Sequence, residues 1–270
     1  MRIRNILKRF AICFLGCSIP FVLVGCQQKS QEISFRDIKS EGELIVLTNA
    51  YFEPYEYYKN NEIVGVDISI AKLIAERLGL KLKIKDMDFD NILIDLTNNK
   101  GHIAMAGITL TEEREKAFAH SIPYAESSQR ILINANIHSD IKKLDDLVGK
   151  KIGVVIGTTS DVFISNQVKE GAFAESETET IVAQYKDLEP AKEALENGDI
   201  DAFILDSLTA QRINKAHPNL VVLAPILSNE EYVFVYNKNM SQEFINIIDN
   251  IIIEIKRNGT LDSFYEDENN

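Results

Sequence analysis

Short apolar runs alternate along this chain with longer stretches of helical spacing. Residues 44–48 are an apolar strand, followed by an aromatic cluster (Tyr51, Phe52, Tyr55, Tyr57, Tyr58) that reads mostly as core and strand edge. Gly65-Val66-Asp67 then opens a helix: Ile70, Leu73, Ile74 and Leu78 share one face, Asp67 is a candidate cap and Gly79 a stop. Leu82 and Ile84 alternate with lysines, a strand period. Asp88-Phe89-Asp90 starts a second helix ending near Lys100-Gly101, and residues 103–107 form a third strand. Strand, helix, strand, helix, strand predicts a largely parallel sheet.

The order then returns. Residues 152–156 read as a strand, Gly157-Thr158-Thr159 as a turn into a helix over 160–169, and residues 180–183 as a strand. A helix from Asp187, with Pro190 in its first turn, ends at Asn197-Gly198, and residues 200–205 are again a strand. The pattern of residues 195–202 echoes that of 96–104. Two lobes of one architecture explain this better than a short-period repeat. The tail reads as a strand over 232–236, then a helix capped by Ser241 with Phe244, Ile247, Ile248, Ile251, Ile252 and Ile255 on one face and Gly259 at its end.

Between the third strand and the next helix lies Ala106-Gly107-Ile108-Thr109-Leu110-Thr111-Glu112-Glu113-Arg114. Thr111 or Thr109 can cap that helix, and Glu112 and Glu113 suit its positive end. Arg114 does not, unless an anion sits beside it. It reads either as a tolerated surface arginine or as a guanidinium fork over an anion site made of threonine hydroxyls and free backbone N–H groups. Ligands of open α/β sheets lie beyond the carboxyl ends of the strands. That rule nominates Gly107, Thr109, the 157–159 turn and Asp206, which follows an apolar run and is equally readable as a helix N-cap. Arg114 with the helix start at Thr158-Thr159 favours an anion, and Asp206 favours a cation. One α-amino acid satisfies both.

Composition narrows the field. A net charge of −12 over 270 residues argues against nucleic acid. The four histidines (His102, His120, His138, His217) lack metal-ligand spacing, and no P-loop, G-x-G-x-x-G or G-x-S-x-G pattern occurs. No metal or cofactor is expected. Residues 1–25 carry Arg2, Arg4, Lys8 and Arg9 before an apolar stretch, which reads as a signal peptide rather than an uncleaved anchor. Leu23-Val24-Gly25-Cys26 matches a bacterial lipobox, with Cys26 as the lipidated residue. Cleavage there would remove four positive charges and no negative one, taking the net charge to −16. It would leave no second thiol for a disulfide. Residues 26–40 read as a tether; about ten flexible residues span roughly 18 Å.

The 106–114 stretch resembles the signature of the extracytoplasmic solute-binding proteins that serve polar amino-acid ABC transporters, and the resemblance extends from about residue 43 to the C-terminus. It implies a type II periplasmic-binding-protein-like α/β fold: two lobes, each a doubly wound, mostly parallel sheet with helices on both faces. The two lobes would be residues 41–133 with 230–270, and residues 134–229, joined by hinge crossovers near 133–136 and 224–229. It further implies that Arg114 and Thr159 hold an α-carboxylate, that Thr109 and the Gly107 carbonyl help hold the head group, and that Asp206 takes the α-ammonium. The side-chain pocket maps onto Asn49, Phe52, Phe89, Val155 and Leu205. Family members that take basic amino acids often carry an acid where this chain has Asn49, and Val155 offers no charge, so a neutral amino acid is expected. The implied partners are the permease subunits of an ABC importer and, through the lipid, the outer face of the bacterial cell membrane. The chain reads as no enzyme. One rival is a dehydratase on the same scaffold, with Glu53 or Glu126 as acid or base; another is a surface adhesin or sensor lipoprotein.

Overall fold

The computed structural model describes residues 32–268. The signal segment, Cys26 and the first part of the tether lie outside the described residues. The rest of the tether reading is corrected. Residues 35–41 form helix α1 (Phe35–Glu41), held by a capping box between Ser34 and Asp37. Ile38 is buried, Phe35 stacks on Phe244 at 5.9 Å, and Ile33 bridges to Met240. Two apolar side chains and a cap bind this segment to the body.

The first lobe continues with β1 (Glu43–Thr48), a hairpin sheet of β2 (Tyr51–Phe52), β3 (Glu56–Lys59) and β4 (Glu62–Val64), and α2 (Val66–Leu78). Then follow β5 (Lys81–Asp86), α3 (Phe89–Thr97), β6 (Ile103–Ala104), α4 (Glu112–Ala117) and β7 (Ala119–His120). β1 pairs in parallel with both β5 and β6. Alternate residues of β1 face opposite layers: Leu44 and Val46 join a core with Ile70 and Ile74 of α2, while Leu47 packs with Ile92 and Leu96 of α3. α2 starts differently from expectation. Gly65 is its N-cap without a side-chain bond, and Asp67 points inward, fully buried.

The second lobe holds β8 (Ala125–Asn134), β9 (Lys151–Val155), α5 (Thr159–Lys169), β10 (Ile181–Tyr185), α6 (Leu188–Asn197), β11 (Ala202–Asp206), α7 (Ser207–Ala216), β12 (Leu220–Val222) and β13 (Ser228–Tyr232). The strand order is β10-β9-β11-β8-β12, with β13 also on β8. β9 runs parallel to β10 and β11, and β8 antiparallel to β11, β12 and β13. One face is covered by Ile164 of α5 and the other by Ala191 and Leu195 of α6 with Ala210 of α7. Each lobe therefore has the expected parallel trio with helices on both faces, extended by antiparallel strands.

The chain returns to the first sheet through β14 (Val235–Tyr236), then α8 (Gln242–Arg257) and α9 (Thr260–Asp267). Ser241 caps α8. Six of its side chains are buried, each stabilising the lobe by roughly 1.5–3 kcal/mol relative to exposure. The expected strand over 232–236 is two strands, because this segment leaves one sheet and enters the other. The passages between sheets lie at 121–124 and 233–234, not near 133–136 and 224–229. β8 and β13 are both second-sheet strands, and their mutual pairing carries that sheet up to Ala125 and Tyr232.

Candidate functional site

The sheets meet at their carboxyl ends, where each parallel trio finishes in a left-handed glycine. Gly107 (φ 52°) follows β6, and Gly157 (φ 78°) follows β9. A Cβ on Gly107 would sit 2.4 Å from the Phe52 ring, so no other residue fits without moving that ring. Asp67 Oδ2 accepts the Gly107 N–H at 3.2 Å. After each glycine a threonine opens a helix. Thr111 accepts the Arg114 N–H at 3.2 Å and Thr158 accepts the Asp161 N–H at 3.3 Å, which resolves the choice between Thr109 and Thr111 as cap.

Between these ends lies a cavity of about 70 Å³. Asn49, Phe52, Phe89, Gly107, Thr109 and Arg114 line it from the first lobe, and Val155, Thr159, Leu205 and Asp206 from the second. All ten residues that the resemblance assigns to ligand binding thus line one cavity. Arg114 is not a surface residue. Its Nη1 donates to the Thr109 carbonyl at 3.0 Å and its Nη2 to the Gly157 carbonyl across the cleft at 3.2 Å. Its carbon Cζ lies 6.0 Å from the centre of the Phe89 ring. Burial pulls its pKa down, opposed by the nearby charges of Glu230 and Glu113.

Asp206 differs from expectation in one respect. The carboxylate is not short of partners: Oδ1 accepts from Leu208 N at 2.9 Å and Thr209 N at 3.1 Å, so it is the N-cap of α7. Oδ2 accepts from the Tyr232 hydroxyl at 2.6 Å and from Ser127 Oγ. The cap reading and the cleft reading both hold. Burial still raises its pKa, outweighing these bonds. Neither Asp206 nor Arg114 has an ion-pair partner within 4.0 Å among the described residues. The direct hydrogen-bond partners of both are neutral groups, so each can take an opposite charge from a small molecule.

Sequence reasoning missed several polar residues of the lining, among them Gln129 on β8 and Glu230 on β13. Both are buried. Glu230 Oε2 accepts from Thr109 Oγ1 at 2.8 Å and from Gln129 Nε2 at 3.0 Å. A period-2 reading of 228–232 would have placed Glu230 on the same inward face as Tyr232; Glu230-Glu231 looks instead like a solvated turn. Glu53 and Glu126, the candidates for a dehydratase acid or base, are both exposed and absent from this lining. Glu53 pairs with Arg212 at 2.8 Å.

The family model described as bacterial extracellular solute-binding proteins, family 3, matches residues 44–267. The chain belongs to that family. Among relatives of this solute-binding protein, the L-cystine-binding protein TcyJ of Escherichia coli K12 is 26% identical over 93% of this chain and 92% of its own. The holo structure of ArgBP from T. maritima is 35% identical, with a TM-score of 0.73 over 82% of this chain and 93% of that one. The ancestral amino-acid-binding protein AncCDT-1, described as a precursor of cyclohexadienyl dehydratase, is 30% identical, with a TM-score of 0.76 over 86% and 97%. The family's extracellular character puts the solute-binding protein outside the cytoplasm.

Proposed function

We propose that this protein is the receptor of an amino-acid ABC importer, closing its lobes on one free L-amino acid and delivering it to the permease. The observation that carries the reading is the meeting of Arg114 and Asp206, from opposite lobes, at one buried cavity. In this reading Arg114 and the α5 start at Thr159 hold the α-carboxylate. Asp206, Thr109 and the Gly107 carbonyl hold the α-ammonium. The names of TcyJ and ArgBP support an amino acid as the ligand class, and they differ on which one. The side-chain end, with Asn49, Phe52, Phe89, Val155 and Leu205, suits a neutral ligand. Lobe closure follows from differential affinity: the closed form offers both charges to one ligand and the open form does not. Lipidation of Cys26 would hold the receptor at the membrane.

A thermal-shift screen against the twenty amino acids, cystine and ornithine tests the reading. A ligand that binds only the folded form adds RT ln(1 + [L]/Kd), about 2.7 kcal/mol at a hundredfold excess over Kd. A shift with one or a few amino acids is expected. No shift with any would contradict the reading, and tight arginine binding would overturn the neutral assignment. Turnover of arogenate or prephenate would favour the enzyme instead, and neighbouring permease and ATPase genes would favour transport over an adhesin. Incorporation of labelled palmitate, lost in Cys26→Ala, tests the anchor.

A further inference from the structure

Glu230 lines the cavity beside Thr109, and its hydrogen bonds have a definite direction. Gln129 Nε2 faces Glu230, a carboxylate that only accepts, which sets the sense of the amide and leaves Oε1 to accept from Ser160 Oγ at 2.8 Å. Glu230 Oε2 accepts from that Nε2 and from Thr109 Oγ1, while Oε1 accepts from Ser228 Oγ at 3.3 Å. A hydroxyl has one proton and two lone pairs. With its proton directed to Glu230, Thr109 has only lone pairs left for the cavity.

We propose that Glu230 is a positioning residue that locks the Thr109 hydroxyl as an acceptor, so that the cleft selects a primary ammonium over a hydroxyl or a second anion. The inference rests on the amino-acid reading above. In that reading Thr109 joins the Gly107 carbonyl and Asp206 as a third acceptor, matching the three N–H donors of an α-ammonium. A 2-hydroxy acid has one donor and leaves two acceptors unmet, the kind of mismatch on which a hydrogen-bonding site discriminates strongly. Without Glu230 the Thr109 hydroxyl is free to rotate and donate, and the hydroxy acid recovers part of its deficit. The placement supports this: backbone bonds from Leu110 N to Glu231 O (2.9 Å) and from Val233 N to Ile108 O (3.0 Å) tie the 230–233 segment to the 108–110 loop. The Arg114 bond to the Thr109 carbonyl steadies the same residue from its other side.

The test uses the L-amino acid giving the largest thermal shift among the twenty, paired with its L-2-hydroxy acid. Both Kd values are measured by calorimetry in the parent, Glu230→Gln and Glu230→Leu. The ratio of hydroxy-acid to amino-acid Kd should fall by about tenfold or more in Glu230→Leu, the scale of one lost directional hydrogen bond. It should stay within about threefold of the parent in Glu230→Gln, which keeps an acceptor oxygen for Thr109. An equal loss of affinity for both ligands in Glu230→Leu, with the ratio unchanged, would reduce Glu230 to a structural role and overturn the inference alone. Absence of amino-acid binding in the parent would instead overturn the functional reading on which it rests. If Glu230→Leu does not fold, Thr109→Val removes the same acceptor; an unchanged ratio there would equally overturn the proposal.

Discussion

The two halves of the cleft are built from the same parts and offer a ligand different chemistry. Each lobe ends a parallel strand in a left-handed glycine, caps a helix with a threonine, and places a charged residue three positions after the cap. In the first lobe that residue is Arg114, whose guanidinium reaches into the cavity and across to the Gly157 carbonyl. In the second it is Asp161, which turns back. Asp161 Oδ2 accepts the Gly157 N–H at 3.0 Å and the Gln184 amide at 2.9 Å, and Oδ1 accepts from Ser165 at 3.2 Å and Gln184 at 2.8 Å. So three residues after the cap one lobe presents a side-chain cation, while the other turns its carboxylate away from the cavity and leaves a bare helix start there. The repeated unit brings two equivalent strand ends to one cavity, and the residue at one helical position changes the charge that each end offers there.

The comparison breaks most sharply at Arg114. Removing one partner of a buried charge pair costs roughly 3–5 kcal/mol, about two to four decades of affinity. Arg114→Ala should lose that much by calorimetry, and less than a tenfold loss would count against the guanidinium as the carboxylate clamp. The matching glycines sharpen the contrast next. Both substitutions to Ala force a left-handed backbone costing roughly 1–2 kcal/mol. Gly107→Ala adds a clash with Phe52 at 2.4 Å, whereas at Gly157 the nearest atom, Asp90 Cβ, is 3.3 Å away. Urea melts should show Gly107→Ala as the more destabilised of the two; equal values would mean that the Phe52 ring yields freely.

A third contrast sets Asp206, served by four donors, against a buried acid pair in the first lobe. Glu56 and Asp67 are fully buried with no cation among the described residues acting on either, and the charges that act on Glu56 are those of Asp67 and Asp86. Burial raises both; for Asp67 it outweighs the hydrogen bonds from Tyr124, the Gly107 N–H and Glu56 that act the other way, leaving its pKa at about 6, and Glu56 goes well above its ordinary range. A folded-state pKa above the unfolded one gives stability that is fully present below the unfolded pKa and is lost as pH rises through the folded one. For Asp67 that window runs from 3.8 to about 6, and for Glu56 it extends upward from its ordinary value of 4.5. Glu56→Gln, which cannot ionise, should therefore gain stability relative to the parent as pH rises through and above that range. A difference in denaturation free energy that stays flat with pH would contradict the account. The smallest effect belongs to the rim. Lys186 on the second lobe pairs with Asp88 on the first at 2.6 Å, and both are substantially exposed. Lys186→Ala should weaken binding by no more than about fivefold, the scale of an exposed pair of up to about 1 kcal/mol, and less in high salt.

Much of this site was legible because its residues sit at strand ends, where periodicity stops and glycine, threonine or a lone charge stands out. Arg114 was visible as a cation in a helical turn that prefers anions, and Asp206 as a carboxylate after an apolar run. Glu230 and Gln129 were hidden because their inward direction depends on β8 and β13 pairing, a long-range contact. The first half of β8, Ala-Glu-Ser-Ser-Gln-Arg, has no apolar alternation to mark it as a strand. The passages between sheets were misplaced for the same reason. α1 was read as tether because its packing against Phe244 spans most of the chain.

The central claim is that Arg114 meets a carboxylate and Asp206 an ammonium on one molecule. It is tested most directly by pairing changes in protein and ligand. Affinities of the selected amino acid, its carboxamide and its deaminated form would be measured in the parent, Arg114→Ala and Asp206→Asn. The account predicts that amidation costs the parent heavily but costs Arg114→Ala little, and that deamination costs the parent heavily but costs Asp206→Asn little. Losses that simply add, with amidation as harmful in Arg114→Ala as in the parent, would contradict it.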